Sequence, residues 1–448
     1  MVFLGCNNDD ENFEVESEEN VYEEDVVSNW VKELNLEELD ELSKRKEPIT
    51  EKEIEQFEQQ FLKESFGAKS ASKTNSTKVY AHYMPWFLSE EISGEWGQHW
   101  TMTNKNPNVI NEEGEREIAS HYYPKIGPYD TTDKDLQQYH LSLMKLCGID
   151  GVIFDWYGSR SVLDFDSIKV NVESFIGELE KTDIEFAITY EDRVIGEESS
   201  RLLTQEQIET AQNDLLYIEQ YYFSNDNYIQ LNGIDLLMIF GPNYVDSPSD
   251  WDIVFSVLAE EPRVLSLWGA QSVVGSTSTG EFAWVDEGHI SVLNNYYQGA
   301  DFTNLDIGGA VYPGFNDFYI EGGWKNSTDY DWVLPHNGVQ TFMESMNITT
   351  QYPVDFVQLI TWNDFGEGTM IEPTKEYGYS YLEEVQNFTG VDYSNNDLRI
   401  PYYIYKLKKQ LSGNSFAQHL LKKAHKNLML SRVNKAKLYV CIVYYLYG

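Results

Sequence analysis

Two carboxylate side chains, Asp364 and Glu367, stand three residues apart in a loop that follows an apolar run of the sequence. The stretch is VQLITWNDFGEGTMIEP, residues 357–373, and its apolar part predicts a buried strand that ends in a glycine-rich loop. In a barrel or a parallel sheet, ligands bind at the carboxyl ends of the strands. Two carboxylates there suit glycosidic bond cleavage, one as acid and one as base or nucleophile. Taken alone, the pair also fits a plain turn with a capping Asp and a solvated Glu.

The composition limits the classes of partner. Acidic residues outnumber basic ones by 74 to 32, which gives a formal net charge of −42. This charge repels nucleic acid and anionic membrane surfaces and favours a neutral substrate such as a poly- or oligosaccharide. The 31 Tyr and 11 Trp residues would suit stacking on sugar rings, although aromatic side chains also fill cores.

No metal or cofactor is expected. The three cysteines, Cys6, Cys147 and Cys441, fit neither a zinc spacing nor a disulfide framework. No glycine loop has the spacing and the lysine of a phosphate-binding motif. The acidic cluster at residues 130–133 lacks the ligand periodicity of a calcium loop and predicts a helix cap instead.

The first six residues end in Leu4-Gly5-Cys6 and resemble the end of a bacterial lipoprotein signal, as in surface lipoproteins of Bacteroidota. The apolar stretch before Cys6 is too short for a working signal, so the start is truncated or the match is chance. The lipoprotein hypothesis predicts a monomer outside the cell, on its surface or in the periplasm of a Gram-negative bacterium, with a lipid on Cys6. The sequence contains no run of about 18 apolar residues, so no transmembrane segment is predicted.

The chain divides into four predicted segments. Residues 1–6 are the remnant of the possible signal, 7–77 an acidic tether with short helices, 78–412 the main domain and 413–448 a basic tail. The tail contains no Asp or Glu. It is either a helix that docks on the acidic body or the product of an aberrant reading frame.

Strand and helix patterns alternate along residues 78–412, which predicts a single α/β domain, a (β/α)8 TIM barrel with an acidic N-terminal extension. A doubly wound sheet is the alternative. The predicted strands are apolar on both faces, as parallel strands covered by helices require, and they span residues 79–87, 151–157, 185–191, 236–241, 263–268, 281–285, 309–315 and 357–362.

Five motifs follow in order along this domain: VYAHYMPWF at 79–87, GEWGQHW at 94–100, HYYPKIGPY at 121–129, GIDGVIFDWYG at 148–158 and AITYE at 187–191. Together they resemble glycoside hydrolase family 99, the endo-α-mannosidases and bacterial endo-α-mannanases. The resemblance implies a (β/α)8 barrel that cleaves α-mannosides internally without a metal. It also implies retention of configuration, in which one carboxylate deprotonates the substrate's 2-hydroxyl to form a 1,2-anhydro sugar and a second acts as acid, then base.

The family's carboxylates lie in a motif of the type N-E-x-x-E, onto which Asp364 and Glu367 fall. Asp is one methylene shorter than the family's Glu, and a misplacement on the order of 1 Å costs about a hundredfold in rate. The sequence WNDFGE also resembles glycoside hydrolase family 71, the inverting fungal α-1,3-glucanases. A retracted Asp leaves room for the water that an inverting enzyme needs, so substrate and stereochemistry stay open between the two families.

We predict Glu367 as the general acid, with a pKa raised because Trp362 and Phe365 limit its solvation, and Asp364 as the base. Other residues are predicted to line sugar subsites or bind hydroxyls, with a core or structural role as the alternative for each: Tyr83, Trp86, Glu95, His99, Trp156, Tyr157, Tyr190, Glu191, Tyr312, Trp362 and Asn363. Asp155 is predicted to be buried and structural.

The sequence therefore favours an endo-acting α-glycoside hydrolase, with α-mannan as the substrate. One alternative is an inverting hydrolase like the α-1,3-glucanases. The other is a carbohydrate-binding lipoprotein that lost catalysis when Asp took the place of the family's Glu at position 364.

Overall fold

A computed structural model of the chain describes residues 23–33, 50–64, 73–162, 164–196 and 204–448. The predictions for Cys6 and the possible signal, residues 1–6, lie outside these ranges.

Nine strands form the sheet of the main domain, and eight of them are parallel. They are β1 (Val79–Tyr83), β2 (Gly151–Trp156), β3 (Glu185–Tyr190), β4 (Gln230–Leu231), β5 (Ile234–Ile239), β6 (Arg263–Leu267), β7 (Gly280–Phe282), β8 (Asp306–Val311) and β9 (Phe356–Leu359). The order is β3-β2-β1-β9-β8-β7-β6-β5, and β3 pairs with β5 to close the ring. The two-residue β4 pairs antiparallel with β5.

The predicted (β/α)8 barrel is confirmed, and the doubly wound alternative is excluded by the closing pair of β3 and β5. Each of the eight predicted strands overlaps an observed one. The largest shift is at β8, which begins three residues before the predicted range 309–315 because Asp306, Ile307 and Gly308 also pair with neighbouring strands.

Helices cover the outside of the barrel. The helix Lys134–Cys147 begins at Asp133, whose side chain accepts a hydrogen bond from the Asp135 backbone N–H at 2.9 Å, so the predicted cap is present. The other helices of the domain are Glu90–Ser93, Gln98–Thr101, Phe165–Leu179, Asp192–Ile195, Gln205–Ile218, Glu219–Phe223, Pro248–Phe255, Gln271–Val274, Gly275–Thr277, His289–Gly299, Tyr319–Gly322, Gln340–Thr349, Ser380–Thr389, Asn395–Leu398 and Arg399–Gln410.

Two further helices, Ser415–Met429 and Val433–Tyr447, make up most of the basic segment 413–448. They pack on each other and on the helices Lys134–Cys147 and Arg399–Gln410. His425 Nδ1 lies 3.0 Å from Ser142 Oγ, which ties the segment to the barrel's outer layer.

The described helices of the acidic extension, Glu23–Glu33 and Glu51–Glu64, lie against this basic pair. Lys437 stands 4.5 Å above the ring of Trp30, and Lys423 pairs with Glu51. Val27, Trp30 and Ile54 of these helices are buried, so apolar contact holds them on this flank of the barrel, and the exposed ion pair adds little. Over the ranges that the structure describes, no helix has both the length and the apolar character needed to cross a membrane.

Candidate active site

The loop that follows β9 carries Asp364 and Glu367 at the C-terminal end of the barrel. Glu367 Oε1 accepts a hydrogen bond from the Tyr319 hydroxyl at 2.9 Å. Asp364 Oδ1 accepts one from the backbone N–H of Glu367 at 2.8 Å, and the backbone N–H of Asp364 donates to Thr361 Oγ1 at 2.7 Å. Oδ1 of Asp364 thus caps its own loop.

Burial and mutual repulsion set the protonation of this pair. Burial raises the pKa of Asp364 well above its usual value, and the charge of Glu367 raises it further. Burial also raises the pKa of Glu367, against the hydrogen bond from Tyr319, which lowers it. Two neighbouring carboxylates repel one another when both are ionised, so ionisation of one makes ionisation of the other less favourable. The pair can therefore supply one acid and one base.

Two more carboxylates, Asp155 and Glu191, lie at the ends of β2 and β3. Burial raises the pKa of Asp155 to about 7, against the nearby charge of Arg193, which lowers it. Asp155 Oδ1 is buried and has no hydrogen-bond partner among the described residues. Glu191 is ion-paired with Arg193, whose guanidinium also donates to the Tyr157 hydroxyl at 2.5 Å. Asp155 is buried, as predicted, and the charge of Glu367 raises its pKa further, so the two carboxyls are close enough to interact.

An aromatic rim borders these carboxylates; it comprises Tyr157, Trp86, His99, Trp324 and Tyr319. The Trp86 indole stacks on His99, with centroids 4.0 Å apart and an angle of 9°, and approaches Tyr157 at 6.3 Å. Trp324 meets His99 edge-on at 5.5 Å and lies 5.7 Å from Tyr319. The rim therefore extends from Tyr157, which accepts a hydrogen bond from Arg193, to Tyr319, which donates one to Glu367. Within the rim, Trp324 is 41% exposed. Trp324 is the one exposed ring of these five, and an exposed ring can stack on the apolar face of a sugar.

Two polar residues of the motif GEWGQHW differ in their placement. His99 Nε2 lies 3.5 Å from Asp164 Oδ2, and burial lowers the pKa of His99, so the ring is neutral at pH 7. Glu95 is exposed, and within the described ranges no hydrogen bond or ion pair joins it to the catalytic pair. The structure thus brings His99 to the rim and leaves Glu95 outside it.

Five of the aromatic residues predicted to line subsites have side chains on the helix-facing side of the strands. Successive side chains of a strand point to opposite faces, so a residue next to an inward-pointing one faces the helices. These five are buried among the residues of the outer layer: Tyr83, Trp156, Tyr190, Tyr312 and Trp362.

The contacts of these five place them firmly outside the barrel. The Tyr83 hydroxyl lies 3.0 Å from His140 Nδ1, and the Trp362 ring packs 5.4 Å from the same histidine. The Tyr190 hydroxyl donates to Asp214, on the helix Gln205–Ile218, at 3.0 Å. Trp156 packs on Tyr217 and Tyr222 of the same helical layer, at 6.0 and 5.9 Å, and the Tyr312 hydroxyl lies 3.1 Å from His289 Nδ1. Their role is to hold strands against helices.

Asn363, also predicted to bind substrate, is fully buried and uses its whole amide within the protein. Its oxygen accepts from the Met84 backbone N–H at 2.8 Å, and its nitrogen donates to the Met84 carbonyl at 3.0 Å and to the Tyr129 hydroxyl at 3.1 Å. Both donors and the acceptor are therefore occupied. Asn363 positions the catalytic loop against the end of β1.

Three further residues lie beside these carboxyls and the rim, although no sequence pattern predicted them: Arg193, Tyr319 and Trp324. Arg193 stands two residues after Glu191, and a basic residue so close after a strand end was the available signal. Tyr319 and Trp324 lie in FYIEGGWK, residues 318–325, which has no carboxylate pair or strand pattern to mark it. Among the described residues, no cluster of His, Cys, Asp and Glu has the arrangement to hold a metal ion.

The described residues thus form a (β/α)8 barrel. Its C-terminal end holds a cluster of carboxyls that the aromatic rim borders. The chain is similar to two structures of the family 99 endo-α-mannosidase of Bacteroides thetaiotaomicron, one of them in complex with bis-tris-propane. The TM-scores are 0.54 and 0.55 at 15% identity, over 72% of this chain and 98% of that enzyme. A structure described as a glycoside hydrolase-like protein gives 0.51 at 15% identity, over 72% of this chain and 96% of its own.

No family model and no curated protein sequence matches the chain. The similarity to the two endo-α-mannosidase structures confirms, at the level of the fold, the resemblance to family 99 that the five motifs predicted.

Proposed function

We propose that this chain is an endo-acting α-glycoside hydrolase that cleaves α-mannosidic glycans, with Glu367 as general acid and Asp364 as base. The observation that carries the proposal is the pair of carboxyls at the carboxyl end of β9, with Asp364 buried and Glu367 half-buried beside it, held by hydrogen bonds from the Glu367 backbone N–H and from the Tyr319 hydroxyl. The similarity in fold to an endo-α-mannosidase supports the mannoside as substrate, and so do the sequence motifs.

The proposed roles require the proton of the pair to lie on Glu367 when the sugar is bound, although in the free site the pKa of Asp364 is the more strongly raised of the two. A sugar stacked under the rim presents its glycosidic oxygen to protonated Glu367, which donates the proton as the bond to the anomeric carbon breaks. Ionised Asp364 takes a proton from the group that attacks this carbon. If that group is the sugar's own 2-hydroxyl, a 1,2-anhydro sugar forms, water opens it in a second step, and the configuration is retained. If it is a water molecule, the configuration inverts in one step.

A second candidate function, an inverting α-1,3-glucanase, is favoured by one observation. Asp364 has a short side chain, and its Oδ1 is held by the backbone N–H of Glu367 at 2.8 Å. This carboxylate is retracted towards its own loop, which favours a water molecule between base and sugar.

Acidic composition and the Leu4-Gly5-Cys6 sequence support a location outside the cell or at its surface, with a monomeric enzyme attached through Cys6.

The test is to incubate the full chain with yeast-type α-mannan and with α-1,3-glucan and to follow product anomers by proton NMR. Release of α-configured mannooligosaccharides is the expected result and indicates retention, whereas β-configured products indicate inversion. Glu367→Gln should abolish release, and Glu206→Gln, on the exposed face of the helix Gln205–Ile218, should not. If a polymer is bound but neither is cleaved, the hydrolase proposal is wrong for these glycans and a binding protein takes its place.

A further inference from the structure

A second cavity, of about 730 Å³, lies outside the barrel, behind the long loop that follows β1. Its wall is formed by this loop and by the helix Arg399–Gln410, near the first residues of the helix Lys134–Cys147. The volume is within the range of roughly 300–1,000 Å³ that is usual for small-molecule sites. We name it the flank cavity. None of the catalytic pair or the aromatic rim contributes to its wall.

Packed aromatic rings connect the flank cavity to the catalytic loop. Tyr129 forms part of the cavity wall and packs on Phe87 and Trp100, with ring centroids 5.4 and 5.3 Å apart. These two rings in turn contact Phe365, the neighbour of Asp364, at 6.2 and 5.5 Å. The cavity is thus a separate site, joined to the catalytic loop by side chains that fill the space between them.

Three half-buried aromatic side chains, Trp96, Tyr402 and Tyr405, line the flank cavity. The Trp96 indole N–H donates to Asn108 Oδ1 at 2.9 Å, which fixes the ring in the wall. Tyr402 and Tyr405 stand three residues apart on one helix, so they share a face of it. A cation of the wall stands over each ring: Arg116 over Trp96 at 5.2 Å, Lys406 over Tyr402 at 5.8 Å and Lys409 over Tyr405 at 5.5 Å. Rings held in this way, with donors beside them, offer a sugar both aromatic contact and hydrogen bonds at a low cost in conformational entropy.

Charge in the wall is balanced. The ionisable groups of the wall, apart from the tyrosines, are four cations and four carboxylates: Arg116, Lys125, Lys406, Lys409, Glu90, Glu91, Asp130 and Asp133. A wall with no excess of either sign gives no net attraction to an anion or a cation. It does offer donors and acceptors side by side, and a neutral polyol has hydroxyls that both donate and accept. The balance therefore selects a neutral, polyhydroxylated ligand.

We infer that the flank cavity is a second, non-catalytic binding site for a neutral oligosaccharide chain. The choice of α-mannan as that chain rests on the proposed function, whereas the site itself does not. An enzyme that holds a long polymer at two places raises the effective concentration of the chain at its catalytic mouth. The flank cavity would therefore raise the rate of hydrolysis of polymers and leave that of short substrates unchanged.

Binding is measured with the full chain carrying Glu367→Gln, which prevents turnover. Calorimetry with linear α-mannotetraose should give two sites per chain, and Trp96→Ala with Tyr402→Ala should leave one. The same pair of substitutions should weaken retardation by α-mannan in affinity gels about fivefold, because one of two linked contacts is lost. The milder pair Lys406→Ala and Gln410→Ala, at the rim of the cavity, should weaken it about twofold. Tyr221→Ala, an exposed tyrosine on another face, is the control.

In the otherwise native chain, Trp96→Ala with Tyr402→Ala should lower kcat/KM on polymer about threefold and leave kcat/KM on a short aryl mannoside within about twofold. If folded variants of both pairs bind polymer as the parent does, the second site is excluded while hydrolysis can still stand. If binding depends on Trp96 and Tyr402 but no glycan is cleaved, the site stands and the hydrolase proposal is wrong. Preferential binding of polygalacturonate over neutral α-mannan would overturn the neutral-ligand assignment.

Discussion

The inner and outer faces of the barrel strands differ sharply in chemistry, although adjacent residues of the sequence form them. On β2, Asp155 points into the barrel towards the catalytic cluster and Trp156 points out towards the helices. On β1, His82 packs edge-on against Trp284 at 4.8 Å, and Tyr83 packs on Phe175, in the outer layer, at 4.9 Å. The inner face carries Asp155, whose pKa is raised by burial, while the outer face carries aromatic rings that pack on the helices and bond to groups such as His140 and Asp214.

This difference shows that chemistry-bearing residue types at a strand end do not identify the site by themselves. Trp156 and Tyr190 have the residue types of sugar platforms, yet they hold helices in place. Asp155 has the type of a structural buried carboxylate, yet it shares the mouth with Glu367. Substitutions on the two faces should therefore have opposite profiles, with losses in activity from the inner face and losses in stability from the outer one.

The largest effect is expected from Asp364→Asn, which removes the base from the inner face. We expect kcat/KM to fall by about 10³-fold, since a positioned general base contributes roughly 10²–10⁴-fold. The unfolding free energy should not fall, because the substitution removes a buried carboxylate with a raised pKa. Hydrolysis rates and thermal melts measure the two. Activity near that of the parent would show that another group is the base.

On the outer face, Trp156→Ala should lower the free energy of unfolding by about 3–5 kcal/mol, as for other buried aromatic truncations. The loss comes from the contacts of the indole with Tyr217 and Tyr222. Denaturant unfolding measures it, with Trp156→Phe as the conservative control. In the fraction that remains folded, kcat/KM should stay within about threefold of the parent. A selective loss of activity would place Trp156 in the site after all.

Asp155→Asn tests how the burial of this carboxyl makes the free energy of unfolding depend on pH. The folded-state pKa of Asp155 is raised from 3.8 to about 7, so the stability it contributes is complete below 3.8 and is lost as pH rises through about 7. An amide avoids this loss. The variant should exceed the parent in unfolding free energy by ~1–2 kcal/mol near pH 8, with a smaller gain near pH 5. A gain that is equal at both values would contradict the assignment.

The smallest effect is expected from Tyr319→Phe, which removes the hydrogen bond to Glu367 Oε1. That bond lowers the pKa of Glu367, so its loss should move the alkaline limb of the kcat/KM profile to higher pH. At neutral pH we expect a loss of about tenfold, from poorer orientation of the acid. Tyr330→Phe, an exposed tyrosine eleven residues along, is the control. A limb shifted to lower pH would refute the role of Tyr319.

Local patterns of the sequence were enough to predict the barrel. The apolar runs, the helix patterns between them and the cap at Asp133 each depend on residues close together in the chain, and all are present. The catalytic loop was also marked locally, since WNDFGE directly follows β9. The composition of the basic segment 413–448 predicted no particular fold, but its two helices pack on the outer helices of the barrel and bury residues such as Leu420 and Leu428.

The composition of the site depended on information that the sequence does not carry locally. Which of two neighbours faces inward is set by strand register, and a shift of one residue exchanges the two faces. This is why Tyr83, Trp156 and Tyr190 could be identified as strand-end aromatics but not as members of the outer layer.

The sequence by itself thus determined the (β/α)8 fold and the loop that holds Asp364 and Glu367, because both follow from short-range patterns. The tertiary structure alone decided that Asp155, Arg193 and Tyr319 surround that pair, because their proximity comes from closing eight strands into a ring. Asp155 and Glu367, 212 positions apart in the sequence, lie near one another there, and burial raises the pKa of both carboxyls.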